Sequence, residues 1–113
     1  MALRQGETGK TIRVKGGFDM SSNTALQLTF YKPSGTIVTK TKAASQVTLG
    51  ASTITDDDLG SLTANTYVEY ETESGFADEA GTWRVYLTYT NTAPNPDDVF
   101  IGATSTFTVT AVP

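Results

Sequence analysis

Cysteine and histidine are both absent from this sequence of 113 residues. Without cysteine the chain can form no disulfide, no thiolate metal site and no cysteine nucleophile. Without histidine it lacks the commonest general base and the commonest zinc ligand. These two absences argue against an enzyme, and we expect a protein with no catalytic residues, no bound metal and no cofactor.

Long hydrophobic runs are missing as well. No apolar stretch approaches the roughly 20 residues that a membrane helix needs. The N-terminal sequence MALRQG has neither the apolar core nor the cleavage site of a signal peptide. We therefore expect a chain that is made in the cytoplasm and does not enter a membrane.

Threonine is abundant, with 21 residues, and it favours strands over helices. Short segments of strand-like sequence are separated by turn residues at intervals of about ten, which is typical of a sandwich or barrel. These segments are Thr11–Lys15, Ala25–Lys32, Thr36–Thr41, Val47–Leu49, Thr53–Thr55, Asn65–Thr72, Thr82–Thr90 and Val99–Val109. We predict one all-β domain over residues 1–113. Residues 1–9 form an N-terminal arm, for which an extended conformation is one option.

The net charge of −4 conceals a separation of signs along the chain. Residues 1–42 have a net charge of +5 and residues 43–113 a net charge of −9. An acidic chain is not expected to bind nucleic acid. The basic residues Arg4, Lys10, Arg13 and Lys15 are candidates for an interaction surface. Two interpretations stay open: copies associate head to tail through opposite charges, or neighbouring strands neutralise one another within the fold.

Tyrosine and glutamate alternate in the segment Asn65–Thr72. The alternation of a strand places Tyr67, Glu69 and Glu71 on one face, and Tyr86 lies on another strand. An exposed row of tyrosines would be a contact patch, because aromatic residues are enriched at the cores of interfaces. The alternative is a second face of the sandwich that the chain covers with its own loops.

Acidic residues form two runs, Asp56–Asp58 and Asp97–Asp98, which supply the oxygen ligands that calcium prefers. The glycine of an EF-hand loop is absent from the sixth position after the start of the first run, so solvated loops are the alternative. Glu69, Glu71 and Glu73 would share one face and repel one another, which would raise one pKa. Nothing else in the sequence indicates a substrate cleft, and we predict no catalytic and no metal site.

The run Asp78–Val85 (DEAGTWRV) is related to a pattern in immunoglobulin-like sandwiches, in which an aromatic residue fixes the turn into strand F. Asp78, Gly81 and Trp83 are therefore candidates for a structural corner, and ligand stacking is the alternative for Trp83. With the strand spacing, this corner predicts an immunoglobulin-like antiparallel β-sandwich of about seven to eight strands.

Three motifs in sequence order carry a resemblance to a known family. They are GFDMS at residues 17–21, YKPSGT at residues 31–36 and AGTW at residues 80–83. In this order they resemble small immunoglobulin-like domains of virion proteins from tailed bacteriophages, and they are similar to the N-terminal domain of baseplate upper proteins. The resemblance covers about residues 10–112. It implies a domain that docks onto a larger assembly and has no catalytic activity.

The resemblance implies a structural protein of the virion, bound in several copies to a ring of portal, neck, tail or baseplate proteins as an adaptor or fibre anchor. A small chain of this kind also suits a capsid decoration (cement) protein. An alternative of another class is a carbohydrate-binding module that contacts host glycans. Its aromatic platform would consist of Tyr31, Tyr67, Trp83 and Tyr86.

Overall fold

The computed structural model describes residues 1–112, which form eleven β-strands and no α-helix. Pro113, the last residue of the predicted domain, lies outside the described residues. Within that range no helix is long and apolar enough to cross a membrane. The strands are β1 (Ala2–Arg4), β2 (Thr11–Lys15), β3 (Ala25–Tyr31), β4 (Ile37–Thr41), β5 (Val47–Leu49), β6 (Ile54–Asp56), β7 (Gly60–Leu62), β8 (Tyr67–Glu71), β9 (Gly81–Asn91), β10 (Asp98–Ile101) and β11 (Ser105–Thr110).

Six strands form a large sheet in the order β1-β11-β9-β3-β4, with β10 also paired to β9. A small sheet has the order β2-β8-β5, and β6 pairs with β7 in a separate hairpin. Every pairing is antiparallel except that of β1 with β11, which is parallel. The all-β prediction is therefore confirmed, and the sheets are of mixed and antiparallel type.

The hydrophobic core lies between the two sheets, because the main buried cluster takes residues from both. On β9, alternation turns Trp83, Val85, Leu87 and Tyr89 inward. Burial of these apolar faces is the main force that holds the two sheets together. The core residues from the large sheet include Leu26, Leu28, Phe30, Phe107 and Val109, and those from the small sheet include Ile12, Val14, Val47, Val68 and Tyr70.

Most predicted strands are present at or close to their expected bounds, but the segment Val99–Val109 is not one strand. It divides into β10 and β11, which pair with opposite halves of β9. The long β9 can hold both partners on one edge, and the chain shifts between them at residues 102–104. There the Gly102 amide donates a hydrogen bond of 2.8 Å to the Leu87 carbonyl. The strand count exceeds seven or eight because of this division and the short strands β1 and β7.

Residues near the N-terminus pair with the end of the chain. Strand β1 lies beside β11, with Leu3 opposite Val109. The backbone amide of Gln5 then donates to the Thr110 carbonyl at 2.8 Å, and the backbone amide of Gly6 donates to the Ala77 carbonyl at 2.8 Å. These bonds attach the first residues along one edge of the large sheet.

Candidate interaction surface

The side of the large sheet that faces away from the core has very few charges. We call it the outer face and define it as the outward-pointing residues of β1, β3, β4, β9, β10 and β11. Threonine is its most frequent residue, its charged members are Arg4 and Arg84, and it contains no acid. The outer face comprises Ala2, Arg4, Ala25, Gln27, Thr29, Tyr31, Ile37, Thr39, Thr41, Thr82, Arg84, Tyr86, Thr88, Thr90, Val99, Ile101, Thr106, Thr108 and Thr110.

The centre of the outer face holds two tyrosines and an arginine. Strand pairing places Arg84 opposite Tyr31, and Tyr86 opposite Thr29. The guanidinium carbon of Arg84 lies 5.2 Å from the ring centre of Tyr31. The two tyrosine rings have centres 6.2 Å apart and planes inclined by 31°. Both rings are half-buried, so each presents part of its surface to solvent.

Three large aliphatic side chains on the outer face are open to solvent. Ile37 on β4 is 56% exposed, and Val99 and Ile101 on β10 are 54% and 67% exposed. They lie on the two strands that flank the pair β3–β9, with the tyrosines between them. Scattered exposed aliphatic residues are common on protein surfaces. Here they share one face with an aromatic cluster, and apolar, aromatic and arginine side chains together are typical of an interface core.

Arg84 has no ion-pair partner among residues 1–112, whereas three basic residues that precede it in the sequence bind acids across the fold. Arg13 bonds Asp56 at 3.0 Å and Glu69 at 2.9 Å. Lys32 bonds Asp78 at 2.8 Å and Lys40 bonds Glu73 at 3.3 Å. Each of these pairs joins a base from residues 1–42 to an acid from residues 43–113. The structure thus favours the second interpretation of the charge separation, neutralisation within the fold.

Asp56, the last residue of β6, accepts hydrogen bonds from three residues. Its carboxylate accepts bonds from Arg13 and from the backbone amides of Asp58 and Leu59. Burial acts to raise the pKa of Asp56, but these hydrogen bonds outweigh it and hold the pKa below its usual value. The hydrogen bond of Arg13 to Asp56 and, second, its hydrogen bond to Glu69 raise the pKa of Arg13. Asp56 therefore organises a turn and an ion pair.

Tyr67 is not an exposed contact residue, which corrects one interpretation of the row Tyr67, Glu69 and Glu71. Its side chain does point away from Val68, but it is only 2% exposed. Its hydroxyl donates to the Ser52 carbonyl at 2.7 Å. A Cβ on Gly50 would lie 2.1 Å from the Tyr67 ring, so the chain covers the ring at close range. The alternative expectation, a face covered by the chain's own loops, describes this residue.

The other candidate residues do not lie on one surface. Arg4 and Tyr86 belong to the outer face, whereas Arg13, Lys15, Glu69 and Glu71 belong to β2 and β8 of the small sheet. Lys10 precedes β2, is exposed and lies 3.6 Å from Glu7. The expected repulsion among the glutamates is relieved, because Glu69 binds Arg13 and Glu73 binds Lys40. Among residues 1–112 no group of acids is arranged to hold a metal ion.

The candidate corner residues Asp78, Gly81 and Trp83 lie in and around the turn that leads into β9. The indole nitrogen of Trp83 donates to the Glu79 carbonyl at 2.9 Å, and the side chain is 0% exposed, which excludes ligand stacking. Gly81 has a φ of +130°, a conformation that L side chains rarely adopt, and a Cβ there would lie 2.8 Å from Pro33. Asp78 accepts a bond from Lys32. Gly81 and Asp78 thus hold the turn against the β3–β4 hairpin.

The free edge of the large sheet at β4 is protected by an inward-pointing charge. Lys40 turns toward the small sheet, where its ammonium lies 5.5 Å from the ring centre of Tyr70 and 5.9 Å from that of Phe76. Charges that point inward from an edge strand discourage pairing with another chain. This edge is therefore a poorer docking site than the outer face beside it.

Sequence reasoning named Tyr31 and Tyr86 but missed Arg84, Ile37, Val99 and Ile101 as surface candidates. The alternation of β9 could have placed Arg84 on the same face as Tyr86. No local pattern could have placed it beside Tyr31, because that proximity depends on the pairing of β3 with β9. Likewise, Ile101 joins this face only because β10 separates from β11.

No protein-family model, no curated protein and no solved structure matches the chain.

Proposed function

We propose that this protein is a non-catalytic structural component of a tailed-phage virion. It docks through its outer face onto a larger ring assembly at the neck, tail or baseplate, as an adaptor or fibre anchor. The observation that carries the proposal is the outer face, which joins a tyrosine–arginine cluster to exposed aliphatic side chains and lacks acids. Aromatic residues and arginine are enriched in interface cores, and acidic residues and lysine are depleted from them.

The strand arrangement supports an immunoglobulin-like form of the sandwich. The small sheet, β2-β8-β5, corresponds in order to strands B, E and D, and the row β11-β9-β3-β4 corresponds to G, F, C and C′. Trp83 at the start of β9 bonds a backbone carbonyl four residues upstream, as the tyrosine of the immunoglobulin corner does. The hairpin β6–β7 and strand β10 are additions to this scheme.

The acids that could have acted in catalysis are bound in ion pairs, which supports a non-catalytic role. Glu69 and Asp56 are held by Arg13, and Glu73 is held by Lys40. A carboxyl group that acts as a general acid near neutral pH needs a pKa that is raised toward the working pH. The pKa of Asp56 moves in the opposite direction.

Mass spectrometry of purified virions with copy counting tests the proposal and separates two placements. We expect the protein in the particle at tens of copies or fewer, as a ring of the neck, tail or baseplate would bind. Hundreds of copies would instead indicate a capsid decoration protein. Absence from purified virions would contradict both placements.

A carbohydrate-binding module is the second candidate, and one observation favours it. Tyr31 and Tyr86 lie side by side on a sheet surface, with ring centres 6.2 Å apart, where a sugar could stack. The platform is reduced to these two, because Tyr67 and Trp83 are buried. A glycan array probed with the protein and with a Tyr31→Ala, Tyr86→Ala variant tests this function. A carbohydrate-binding function requires that the protein binds a glycan on the array and that the variant does not.

A further inference from the structure

We infer that the protein surface that covers the outer face presents a carboxylate to Arg84, and that this surface belongs to a different protein rather than to the outer face of a second copy of this chain. The inference rests on the proposed function and specifies the chemistry of its partner. It follows from the position of Arg84, from its neighbours and from the charges of the outer face.

Arg84 lies within the area that a docked partner would cover. It pairs with Thr106 of β11 on one side and with Tyr31 of β3 on the other. An arginine that is desolvated without an opposite charge is strongly unfavourable. Within residues 1–112 no acid lies within ion-pair distance of Arg84, and the outer face itself contains none. A partner that removes water from this position must therefore supply the opposite charge.

A second copy of the chain cannot supply it through the same surface. In an isologous dimer the same patch meets itself, so the only charged residues that the outer face would bring to its partner are Arg84 and Arg4. The like charges would repel in a desolvated contact. A surface with an exposed aspartate or glutamate, set among apolar neighbours that meet Tyr86 and Ile37, has the complementary chemistry.

The neighbours of Arg84 prepare it for such a contact. The ring centre of Tyr31 lies 5.2 Å from the guanidinium carbon, and this cation–π contact favours one position of the side chain. A cation–π contact does not use the N–H groups of the guanidinium as hydrogen-bond donors, and these can bind a carboxylate through two parallel hydrogen bonds. Arginine and tyrosine are also the residues that most often dominate binding energy at interfaces.

Zero-length cross-linking in the virion tests the inference. Arg84→Lys keeps the positive charge and introduces an amine that a carbodiimide joins to a carboxylate in direct contact. We expect a cross-linked peptide that connects residue 84 to an aspartate or glutamate of another virion protein. If the protein is in the particle and residue 84 forms no such link, or links only to copies of this chain, the inference is wrong. Absence of the protein from the particle would instead contradict the proposed function.

A second measurement covers the case in which the lysine variant does not assemble. In the unmodified protein, an arginine-specific dicarbonyl reagent should modify Arg84 in the free chain and leave it protected in the virion. Equal modification in both states would overturn the inference.

Charge reversal gives the matched comparison. Arg84→Glu should lower the number of copies per virion at least about tenfold, because it places an acid against the partner's carboxylate. Lys15→Glu makes the same charge change on the small sheet and should alter the copy number less than about twofold, as expected for a charge outside the interface. Equal losses for the two variants would contradict the assigned position.

Discussion

The guanidinium of Arg84 lies over the ring of Tyr31, 5.2 Å from its centre, on the solvent side of two neighbouring strands. Arg4, the other charged residue of the outer face, makes no such contact with an aromatic ring. The opposite side of β9 carries Trp83 and Val85 into the core. One strand therefore provides both the rigid interior of the sandwich and the residue on which we base the docking surface.

The corner at Trp83 should contribute measurably to stability. Trp83→Phe keeps an aromatic ring but removes the indole N–H that the Glu79 carbonyl accepts at 2.9 Å. We expect the free energy of unfolding to fall by about 1–3 kcal/mol, the range for losing a buried hydrogen bond together with some packing. Urea unfolding followed by circular dichroism measures this. Tyr31→Phe, a change on the outer face, serves as the control and should alter it by less than about 0.5 kcal/mol.

The burial of Tyr67 gives a second prediction. Gly50→Ala places a Cβ within 2.1 Å of the Tyr67 ring, so the ring or the loop must move, and we expect a loss of several kcal/mol, roughly 3 or more. Gly102→Ala is the matched control, because its nearest atom would lie at an ordinary distance of 3.5 Å. Thermal unfolding of the two variants compares them. Similar melting temperatures would show that the chain at Gly50 is not packed against the Tyr67 ring.

The lowered pKa of Asp56 predicts a dependence of stability on pH. Because the folded-state pKa lies below the unfolded value of about 3.9, the carboxylate stabilises the fold above that value. The contribution is lost as the pH falls through the folded-state pKa. Asp56→Asn should therefore lower the free energy of unfolding by about 1–2 kcal/mol near pH 7, and the difference from the unmodified protein should shrink below about pH 4.

Asp57→Asn provides the control for this pH series, since Asp57 is exposed and adjacent in sequence. Urea titrations at several pH values should show no comparable difference for it. A constant difference between the Asp56 variant and the unmodified protein from pH 7 to pH 2 would mean that the charge of Asp56 is not responsible.

The charge separation along the chain should not drive self-association. The bases Arg13, Lys32 and Lys40 bind acids of the same fold, and the bases left over, such as Lys15 on the small sheet and Arg84 on the outer face, lie on different surfaces. We expect the isolated protein to sediment as a monomer at low and at high salt concentration. An oligomer that dissociates as salt is raised would show that opposite charges on separate copies attract, because salt screens exposed charges.

Local patterns predicted much of the fold. The alternation of Ala25–Lys32 and of Thr82–Thr90 identified β3 and β9 and the residues that turn inward, because side-chain direction in a strand depends only on position. The corner at Trp83 was predictable for a similar reason, since its hydrogen bond spans only four residues. Features that local sequence determines can thus be predicted from the sequence alone.

Features that depend on contacts between distant segments of the chain could not be predicted from local sequence. The proximity of Arg84 to Tyr31 requires the antiparallel register of β3 with β9, which no local pattern encodes. The burial of Tyr67 requires the chain near Gly50 and Ser52 to fold over it, although strand alternation alone would leave the ring in solvent. The parallel pairing of β1 with β11 also joins segments that are far apart in the sequence, so no local pattern predicts it.

Electron cryomicroscopy of the intact virion, at a resolution that shows side chains, tests the proposed docking most directly. We expect copies of the protein to be seated through the outer face, with Tyr31, Arg84 and Tyr86 buried against another virion protein and the surface of Arg13 and Glu69 exposed. Copies seated through the small sheet, with the outer face open to solvent, would contradict the proposed docking surface.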